Sequence, residues 1–309
     1  MIGAGRWGNN IIRTVSSLDG VSLGAVASRN PKTAGLVPTD CRVVAHWREL
    51  VAASDLDGII IASPPETHLE ILLAAIAAKM PVLVEKPLVC SREQAQSLRA
   101  ALAGVPAIIL VDHIHLFHPA FRALRREAAK LGPVRSIASS AGNRGPYRAD
   151  VSVLWDWGPH DLAMCLALVP GPARATGARC LAHEMIDGAT AERLELELTL
   201  RGDVGATVRL STLDDRHRWF AAYFDRDTLV YRDNGASALV RFPSGADIHG
   251  DAGMPIPVTA EMPLSRAVQD FVQAVQSGSE DRESVELGLA VTDLLADFDD
   301  LLLGTQCSP

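Results

Sequence analysis

The alternation of short apolar runs with longer helical patterns in the first 111 residues constrains the fold more than any other feature of the sequence. Four runs are almost continuously apolar, as expected of strands buried on both faces: residues 21–27, 58–62, 81–85 and 107–111. Between them, apolar residues recur at helical spacing over 69–76, and Ser91 is a predicted helix N-cap. This order predicts a doubly wound α/β domain with a parallel sheet.

The pattern changes after residue 112. Leucines alternate with Glu and Thr over 194–200, which indicates an antiparallel strand with one covered face. Further strands are predicted at 206–210, 219–223 and 228–231, and helices at 121–131, 159–168 and 291–302. The second part is therefore an α+β domain with helices on one face of a sheet. We place the two domains at 1–112 and 113–309.

A glycine motif opens the chain. Gly3, Gly5 and Gly8 fit the spacing G-x-G-x-x-G, with Arg6 and Trp7 inside it, and an amphipathic helix follows. Such glycines let the backbone turn tightly and approach a pyrophosphate, whose charge then lies at the helix N-terminus. The motif predicts a dinucleotide site, although similar turns also occur without a ligand.

The strand expected before this motif consists of Met1 and Ile2 alone, although that strand lies in the middle of such sheets. A shortened central strand would leave backbone groups of its neighbours unpaired. We therefore expect the natural chain to begin several residues upstream.

The choice of dinucleotide depends on the residues about 20 positions after the last glycine, where an Asp or Glu would bind the ribose 2′-hydroxyl of NAD. This chain has Ser28, Arg29 and Asn30 there. The missing carboxylate and the added guanidinium favour the 2′-phosphate of NADP over NAD. A solvated loop arginine is the alternative interpretation.

Two further segments follow predicted strands, at the edge where open α/β sheets bind ligands. Ser63, Pro64 and His68 belong to a Ser-Pro-Pro-Glu-Thr-His segment, and Glu85 and Lys86 begin a Glu-Lys-Pro segment. A lysine in this setting can form an ordinary surface ion pair. Its place beside the predicted cofactor favours a functional role.

A third segment, residues 155–161, reads Trp-Asp-Trp-Gly-Pro-His-Asp. Gly158 and Pro159 separate Asp156 from His160, so we expect this pair to flank the turn into a helix with Pro159 in its first turn. The carboxylate could orient an imidazole that takes up a proton. The alternative is an N-cap at Asp156 and a packed His160.

Composition excludes several classes of protein. A net charge of −8 and the absence of a basic cluster argue against nucleic-acid binding. No apolar run approaches the roughly 20 residues of a membrane span, and the N-terminus lacks a signal-peptide pattern. A cytoplasmic protein is expected. Its scattered cysteines are predicted to be free thiols: Cys41, Cys90, Cys165, Cys180 and Cys307.

The glycine motif, Ser-Pro-Pro, Glu-Lys-Pro and Asp-x-Gly-x-His together resemble, in order and spacing, the Gfo/Idh/MocA family of NAD(P)-dependent oxidoreductases. The resemblance covers residues 3 to about 168. It implies a Rossmann domain followed by a domain with an open, mostly antiparallel sheet, and a homodimer or homotetramer formed through that sheet. It also implies a sugar-like substrate whose secondary alcohol is oxidised or reduced.

The resemblance also implies roles for single residues. His160 would be the general base, Asp156 its partner on the substrate side, and Lys86 a hydrogen-bonding and proton-relay group. Removal of hydride from a carbinol requires that the hydroxyl proton leave too, so a base must lie within hydrogen-bond reach. The predicted contacts of the cofactor are Gly3, Gly5, Arg6, Trp7, Gly8, Ser28, Arg29, Ser63, Pro64, His68, Glu85, Lys86 and His113.

Residues 111–119 and 154–156 look most like a branch of the family that acts on nucleotide-linked amino sugars. Asn143, Arg144 and Arg148 would then bind the substrate together with Lys86, Trp157 and His160, and the arginines could meet a phosphate or carboxylate. Ile114 departs from the commoner family pattern, which has Asn near the cofactor.

The spacing His113-x-His115-x-x-His118 resembles part of a zinc site, but the sequence offers no fourth ligand. We expect pocket-lining or packed histidines and no metal.

These features predict an NAD(P)-dependent dehydrogenase or reductase. Two alternatives are a nucleotide-sensing regulatory protein without turnover and a redox-neutral enzyme that keeps its NAD(H) and returns the hydride within one cycle. The combination of Lys86, Asp156 and His160 favours an enzyme, because a sensor needs only the glycine loop.

Overall fold

The computed structural model describes residues 1–233, 238–280 and 282–304. They form two compact units. The first contains Met1–Ile114 and Met262–Thr292, and the second contains His115–Glu261 and the residues from Asp293 onward. The division that we predicted after residue 112 places residues 262–292 in the second domain, whereas in the structure the chain returns there to the first unit.

The helices, in chain order, are α1 (Arg6–Ser16), α2 (Arg48–Val51), α3 (His68–Ala78), α4 (Arg92–Leu102), α5 (Pro119–Leu131), α6 (Val153–Leu168), α7 (Pro263–Ser277) and α8 (Glu283–Leu303). The strands are β1 (Ala25–Ala27), β2 (Arg42–Val44), β3 (Ile59–Ile61), β4 (Val82–Glu85), β5 (Ile109–Asp112), β6 (Ser136–Gly142), β7 (Arg174–Ile186), β8 (Ala189–Leu200), β9 (Val204–Ser211), β10 (His217–Tyr223), β11 (Asp227–Arg232), β12 (Leu239–Pro243) and β13 (Met254–Pro255). The four strands predicted in the first 111 residues are present with shorter bounds.

The first unit contains the predicted parallel sheet. β1 pairs with β2, β4 pairs with both β3 and β5, and all of these pairs are parallel. Ile2 forms parallel bridges to Ala27 of β1 and Ile61 of β3, which gives the order β2-β1-Ile2-β3-β4-β5. The doubly wound, Rossmann-type architecture is thus confirmed.

The first two residues complete the pairing between β1 and β3. Ile2 donates its amide to the carbonyl of Ile60 at 2.7 Å, and its carbonyl accepts from the amide of Ala62 at 2.8 Å. On the other side, the amide of Ala27 donates to the carbonyl of Met1 at 2.8 Å. The expected loss of pairing by the neighbouring strands therefore does not occur at these positions.

Helices cover both faces of this sheet. On one face, α1 and α7 pack against apolar side chains that include Val26, Ile60 and Leu83. On the other, α3, α4 and the first turns of α8 pack against the alternate residues, such as Ile59 and Val84. Successive strand residues point to opposite faces, so an apolar run is needed to fill both cores.

The second unit contains an eight-stranded sheet in the order β13-β12-β11-β10-β6-β9-β8-β7, antiparallel except for the β6–β9 pair. α5 packs on β11 and β12, and α6 packs on β6, β8 and β9. The predicted α+β arrangement is confirmed. Glu195 of β8 is an exception to the alternating pattern, because it is buried and bound by Arg179 and Arg209.

The start of α6 differs from the sequence prediction. The helix begins at Val153, and the side chain of Ser152 caps it by accepting from the amide of Trp155. Pro159 therefore lies inside the helix, where its missing amide removes one backbone hydrogen bond. We had expected Asp156 either to flank a turn or to be the N-cap, and it does neither. Ser152, further upstream, is the N-cap instead.

Cys41, Cys90 and Cys165 carry free thiols, and the thiol of Cys180 donates to the carbonyl of Ala182 at 3.4 Å. Cys307 lies outside the described residues. In the described parts of the chain, no helix combines the length and the apolar character that crossing a membrane requires.

Candidate functional site

The glycine loop of the first unit is built for close approach of a ligand. Gly3 has φ +93°, and a Cβ atom there would lie 2.6 Å from the carbonyl oxygen of Ala62. A Cβ atom on Gly8 would lie 2.5 Å from the carbonyl oxygen of Gly3, whereas one on Gly5 would meet no atom within 4 Å. Two glycines thus close the turn, and the third leaves open space before α1.

The N-terminus of α1 faces this space without a side-chain cap. Gly5 is the N-cap residue, and Arg6, Trp7 and Gly8 form the first turn. The first amides of a helix have no partner within it and carry partial positive charge, so they can bind an anion. The indole of Trp7 donates to the Oε1 atom of Glu85, which ties the glycine loop to the end of β4.

Two carboxyl groups lie side by side at the ends of β4 and β5. Glu85 and Asp112 are register partners on these strands. Burial raises the pKa of Asp112 to about 6. Burial and the neighbouring Asp112 raise the pKa of Glu85 well above its usual range. Because two adjacent buried carboxylates repel each other, we expect the pair to hold one shared proton near neutral pH.

Several other buried polar atoms of the first unit have no hydrogen-bond partner of standard geometry among the described residues. They are Oδ1 of Asn9 and both ring nitrogens of His113. Burial lowers the pKa of His113 to about 3, so its ring is neutral. Buried polar groups without partners are costly, and their concentration here fits a site for a polar ligand.

Lys86 follows β4 directly, and the loops around it are held by His68. The ring of His68 is fully buried, with Nδ1 2.9 Å from the carbonyl oxygen of Pro87 and Nε2 3.1 Å from that of Ser63. Burial lowers the pKa of this imidazole. His68 thereby fixes the two predicted cofactor loops to each other, one containing Ser63 and Pro64 and the other Glu85 and Lys86.

The residues predicted to choose between NAD and NADP lie at the end of β1. Ser28 accepts hydrogen bonds from the Asn30 amide and the Thr33 hydroxyl, at 3.2 and 2.8 Å. Arg29 is exposed and has neither a hydrogen bond nor an ion pair with any other described residue. Together, the open glycine loop, the uncapped helix and the unsatisfied polar atoms fit a dinucleotide.

The second unit places Asp156, Trp157 and His160 on α6. Because Asp156 and His160 are four residues apart within one helix, they lie on the same face. Arg148 lies 3.6 Å from the carboxylate of Asp156 and 2.8 Å from that of Asp150. A small depression beside them is lined by residues that include Arg148, Ser152, Asp156, Trp157, Thr190 and Thr212.

A buried ion pair anchors this helix to the sheet. Nη1 of Arg218 on β10 donates to Oδ2 of Asp161 at 2.6 Å, and both side chains are buried. The same guanidinium lies 5.8 Å from the ring centre of Trp157. Arg218 therefore contacts residues on both sides of His160 in the helix.

The other predicted substrate contacts lie in the loop after β6. The Asn143 amide group donates to the carbonyl of Gly145 at 2.6 Å, and Arg144 pairs with Asp215 at 3.1 Å. Both side chains of this ion pair are largely exposed. Asn143 shapes the loop, and Arg144 is a surface residue that a ligand can reach.

The three histidines of the zinc-like spacing have different surroundings. His113 is buried in the first unit. In the second unit, Nδ1 of His115 lies 2.8 Å from the Tyr231 hydroxyl, and Nδ1 of His118 accepts the Ala120 amide as the N-cap of α5. Across the described ranges, no group of three or more potential ligands is arranged to hold a metal ion.

Sequence reasoning missed Arg218, Asp161 and Tyr231 as residues that support the site. None of the three left a signal: Arg218 lies just before the predicted strand 219–223, in the polar run Asp-Asp-Arg-His-Arg. Asp161 and Tyr231 follow ordinary patterns, and their partners are 57 and 116 residues away in the chain.

Comparisons with known proteins agree with this geometry. Residues 1–113 match the model of an oxidoreductase family with an NAD-binding Rossmann fold. A crystal structure from Magnetospirillum magnetotacticum MS-1, described only as that of an oxidoreductase, has a TM-score of 0.89 and 40% identity. That match covers 96% of this chain and 97% of the other.

Two named relatives cover different shares of the chain. An inositol 2-dehydrogenase of Acidothermus cellulolyticus is 33% identical over 47% of this chain, and the match spans only 44% of that protein. A UDP-N-acetylglucosamine 3-dehydrogenase of Acidithiobacillus ferrooxidans is 24% identical over 89% of this chain and 87% of its own length. The family predicted from the motifs is confirmed: the chain belongs to the Gfo/Idh/MocA family of oxidoreductases, whose NAD-binding domain has the Rossmann fold.

Proposed function

We propose that the chain is an NAD(P)-dependent dehydrogenase or reductase that acts on a secondary alcohol of a sugar, a cyclitol or a nucleotide-linked sugar. The observation that carries the proposal is the place of Lys86, directly after β4 and next to the carboxyl pair that the glycine loop contacts through Trp7. The relatives named as inositol and UDP-N-acetylglucosamine dehydrogenases support this class of substrate.

The roles follow from the chemistry of a carbinol. The nicotinamide, when bound, exchanges hydride with the carbon. Lys86 would hydrogen-bond the oxygen and stabilise the negative charge that develops on it. His160 would take the hydroxyl proton, a step worth about 10² to 10⁴ in rate when the base is well placed. Asp156, on the same face of α6, would be its partner on the substrate side.

NADP(H) is the cofactor that we favour. Ser28 and Arg29 stand where an NAD-binding chain would have a carboxylate, and the guanidinium of Arg29 is exposed and unpaired among the described residues. A guanidinium can bind a phosphate through two parallel hydrogen bonds.

Self-association through the sheet of the second unit is part of the proposal. Its outermost long strand, β7, carries the exposed side chains Leu181 and Met185. Light scattering of the purified chain should show a dimer or tetramer, and Met185→Glu should lower that mass. A monomer at micromolar concentration would contradict this part.

The first experiment is a cofactor titration of the full chain. One sample of the protein is denatured to identify any nucleotide that it releases, and native protein is titrated with NADPH and NADH while the tryptophan fluorescence is followed. Saturable binding supports the site, and a screen with inositol and UDP-sugars then measures the release of reduced nicotinamide. No binding and no retained nucleotide would overturn the proposal.

Lys86→Ala tests the chemistry. Its rate should fall at least about 100-fold, while the Kd of the cofactor changes little. Lys32→Ala, an exposed lysine of the same unit, is the matched control and should keep the wild-type rate. Equal turnover in Lys86→Ala would contradict the role of the lysine.

The same assays separate the two alternative functions. Cofactor binding without turnover of any alcohol would favour a sensor, and product formation without release of NAD(P)H would favour a redox-neutral enzyme.

A further inference from the structure

Four side chains of the second unit form an aromatic cluster: His115, His118, His160 and Tyr231. The ring of His115 meets the ring of His160 edge to face, with centroids 5.1 Å apart and an angle of 89° between the planes. Tyr231 lies within 6.0 Å of His115 and 5.1 Å of His118 by the same measure. The cluster therefore joins the candidate base to a buried residue of the sheet.

Tyr231 is the fixed end of this cluster. Its side chain is fully buried in β11, where it also packs edge to face against Phe121 of α5. Burial raises the pKa of the phenol, so the hydroxyl keeps its proton. A hydroxyl can both donate and accept, so it can bond to Nδ1 of His115 in either tautomer of that ring.

The ring of His115 connects Tyr231 to His160. A hydrogen bond of 2.8 Å to Tyr231 holds one edge of the His115 ring, and this fixes the orientation in which the ring packs against His160. His118 provides a contrast within the cluster. Its Nδ1 is used as the N-cap of α5, and it contacts the Tyr231 ring without bonding to the hydroxyl.

We propose that His115 is a positioning residue for His160, and that the hydroxyl of Tyr231 fixes His115 in that role. The consequence for turnover rests on the proposed function, in which His160 takes the proton. The rate of proton transfer falls steeply when the base is turned away from the proton, because the transfer requires a specific ring nitrogen at hydrogen-bond distance.

Kinetics of three variants test the proposal. His115→Phe keeps an aromatic ring and removes the nitrogens, and Tyr231→Phe removes only the hydroxyl. We expect kcat to fall about 10- to 100-fold in the first and by a smaller factor in the second, with KM and the cofactor Kd within about twofold of the wild type. His118→Asn keeps a capping side chain and should leave kcat unchanged. Unchanged kcat in both His115→Phe and Tyr231→Phe would overturn the proposal.

Nitrogen-15 NMR of the ring nitrogens gives a readout that needs no substrate. In the wild type, His160 should populate one tautomer, whereas in His115→Phe its two ring nitrogens should shift towards a common, averaged value. Identical His160 spectra in the wild type and His115→Phe would refute the positioning role even if no alcohol proved to be a substrate. If the spectrum changes but no alcohol is turned over, the result counts against the proposed function and not against the positioning role.

Discussion

The two units position their candidate functional residues in different ways. In the first unit, most of the geometry is in the backbone: the turn at Gly3 and Gly8, the open space at Gly5 and the uncapped start of α1. In the second unit, side chains provide most of the geometry: the Arg218–Asp161 ion pair ties α6 to the sheet, and Tyr231 bonds to His115, whose ring packs against the candidate base His160. A backbone site is specified by neighbours in the sequence, whereas a side-chain network depends on residues that only folding brings together.

The largest expected effect concerns the buried ion pair. Arg218→Ala should lower the free energy of unfolding by about 3–5 kcal/mol, because it leaves the buried carboxylate of Asp161 without its counter-ion. Urea unfolding measures this change. Arg144→Ala, which breaks the exposed pair with Asp215, is the matched control and should change stability very little. Equal effects of the two substitutions would mean that the second unit does not depend on its buried network.

The glycine loop offers a pair of identical substitutions with different outcomes. Gly3→Ala should destabilise the protein by about 2–5 kcal/mol, because of its positive φ and the 2.6 Å approach to Ala62. Gly5→Ala should leave the unfolding free energy nearly unchanged, since its Cβ meets no atom within 4 Å, and should instead raise the Kd of the cofactor. Thermal unfolding and the fluorescence titration separate these effects. Unchanged cofactor affinity in Gly5→Ala would show that the loop does not face the pyrophosphate.

The carboxyl pair of the first unit predicts a dependence of stability on pH. The folded pKa of Asp112 is raised from 3.8 to about 6, so its favourable contribution is complete below pH 3.8 and is lost as the pH rises through about 6. Asp112→Asn should therefore match the wild type near pH 4 and be more stable at pH 7, by about 1–3 kcal/mol. Urea unfolding at both pH values tests this. A variant that is less stable than the wild type at pH 7 would show that Asp112 works as a charged group.

The smallest expected effect concerns the choice of cofactor. Arg29→Ala should weaken the binding of NADPH about tenfold and leave NADH nearly unaffected, because only NADPH has the 2′-phosphate. Arg42→Ala, an exposed arginine of β2 paired with Asp55, is the control and should change neither Kd. Equal weakening of both nucleotides by Arg29→Ala would mean that Arg29 does not contact the 2′-phosphate.

Local patterns predicted most of the first unit and only part of the second. The apolar runs gave β1, β3, β4 and β5, and the glycine motif identified Met1 and Ile2 as the strand before it; β2, which is mostly exposed, was not predicted. β6, by contrast, reads Ser-Ile-Ala-Ser-Ser-Ala-Gly and has little apolar character, although it lies in the centre of the second sheet. α6 contacts that strand, and Ile137, Ser139 and Ala141 are buried there.

The helix α6 shows how a strong local signal can mislead. Gly158 and Pro159 are usually found in turns, and they predicted a break between Asp156 and His160. Packing of Gly158 against Leu295 and Leu210, where a Cβ would come within 3.0 and 3.6 Å of their side chains, favours a helix at this point in spite of them. Propensity is a weak preference, and tertiary contacts override it.

The parallel sheet, the dinucleotide motif, the family and the candidate residues Lys86, Asp156 and His160 could all be identified from the amino-acid sequence. These depend on spacing within a few residues, which a linear pattern records. Three features became visible only in the folded chain: Asp156 and His160 share a helix face, Glu85 and Asp112 form a carboxyl pair, and Tyr231 bonds to His115 beside His160. The last two contacts join residues that are far apart in the chain and that only folding brings together, and the shared helix face depends on tertiary packing around Gly158.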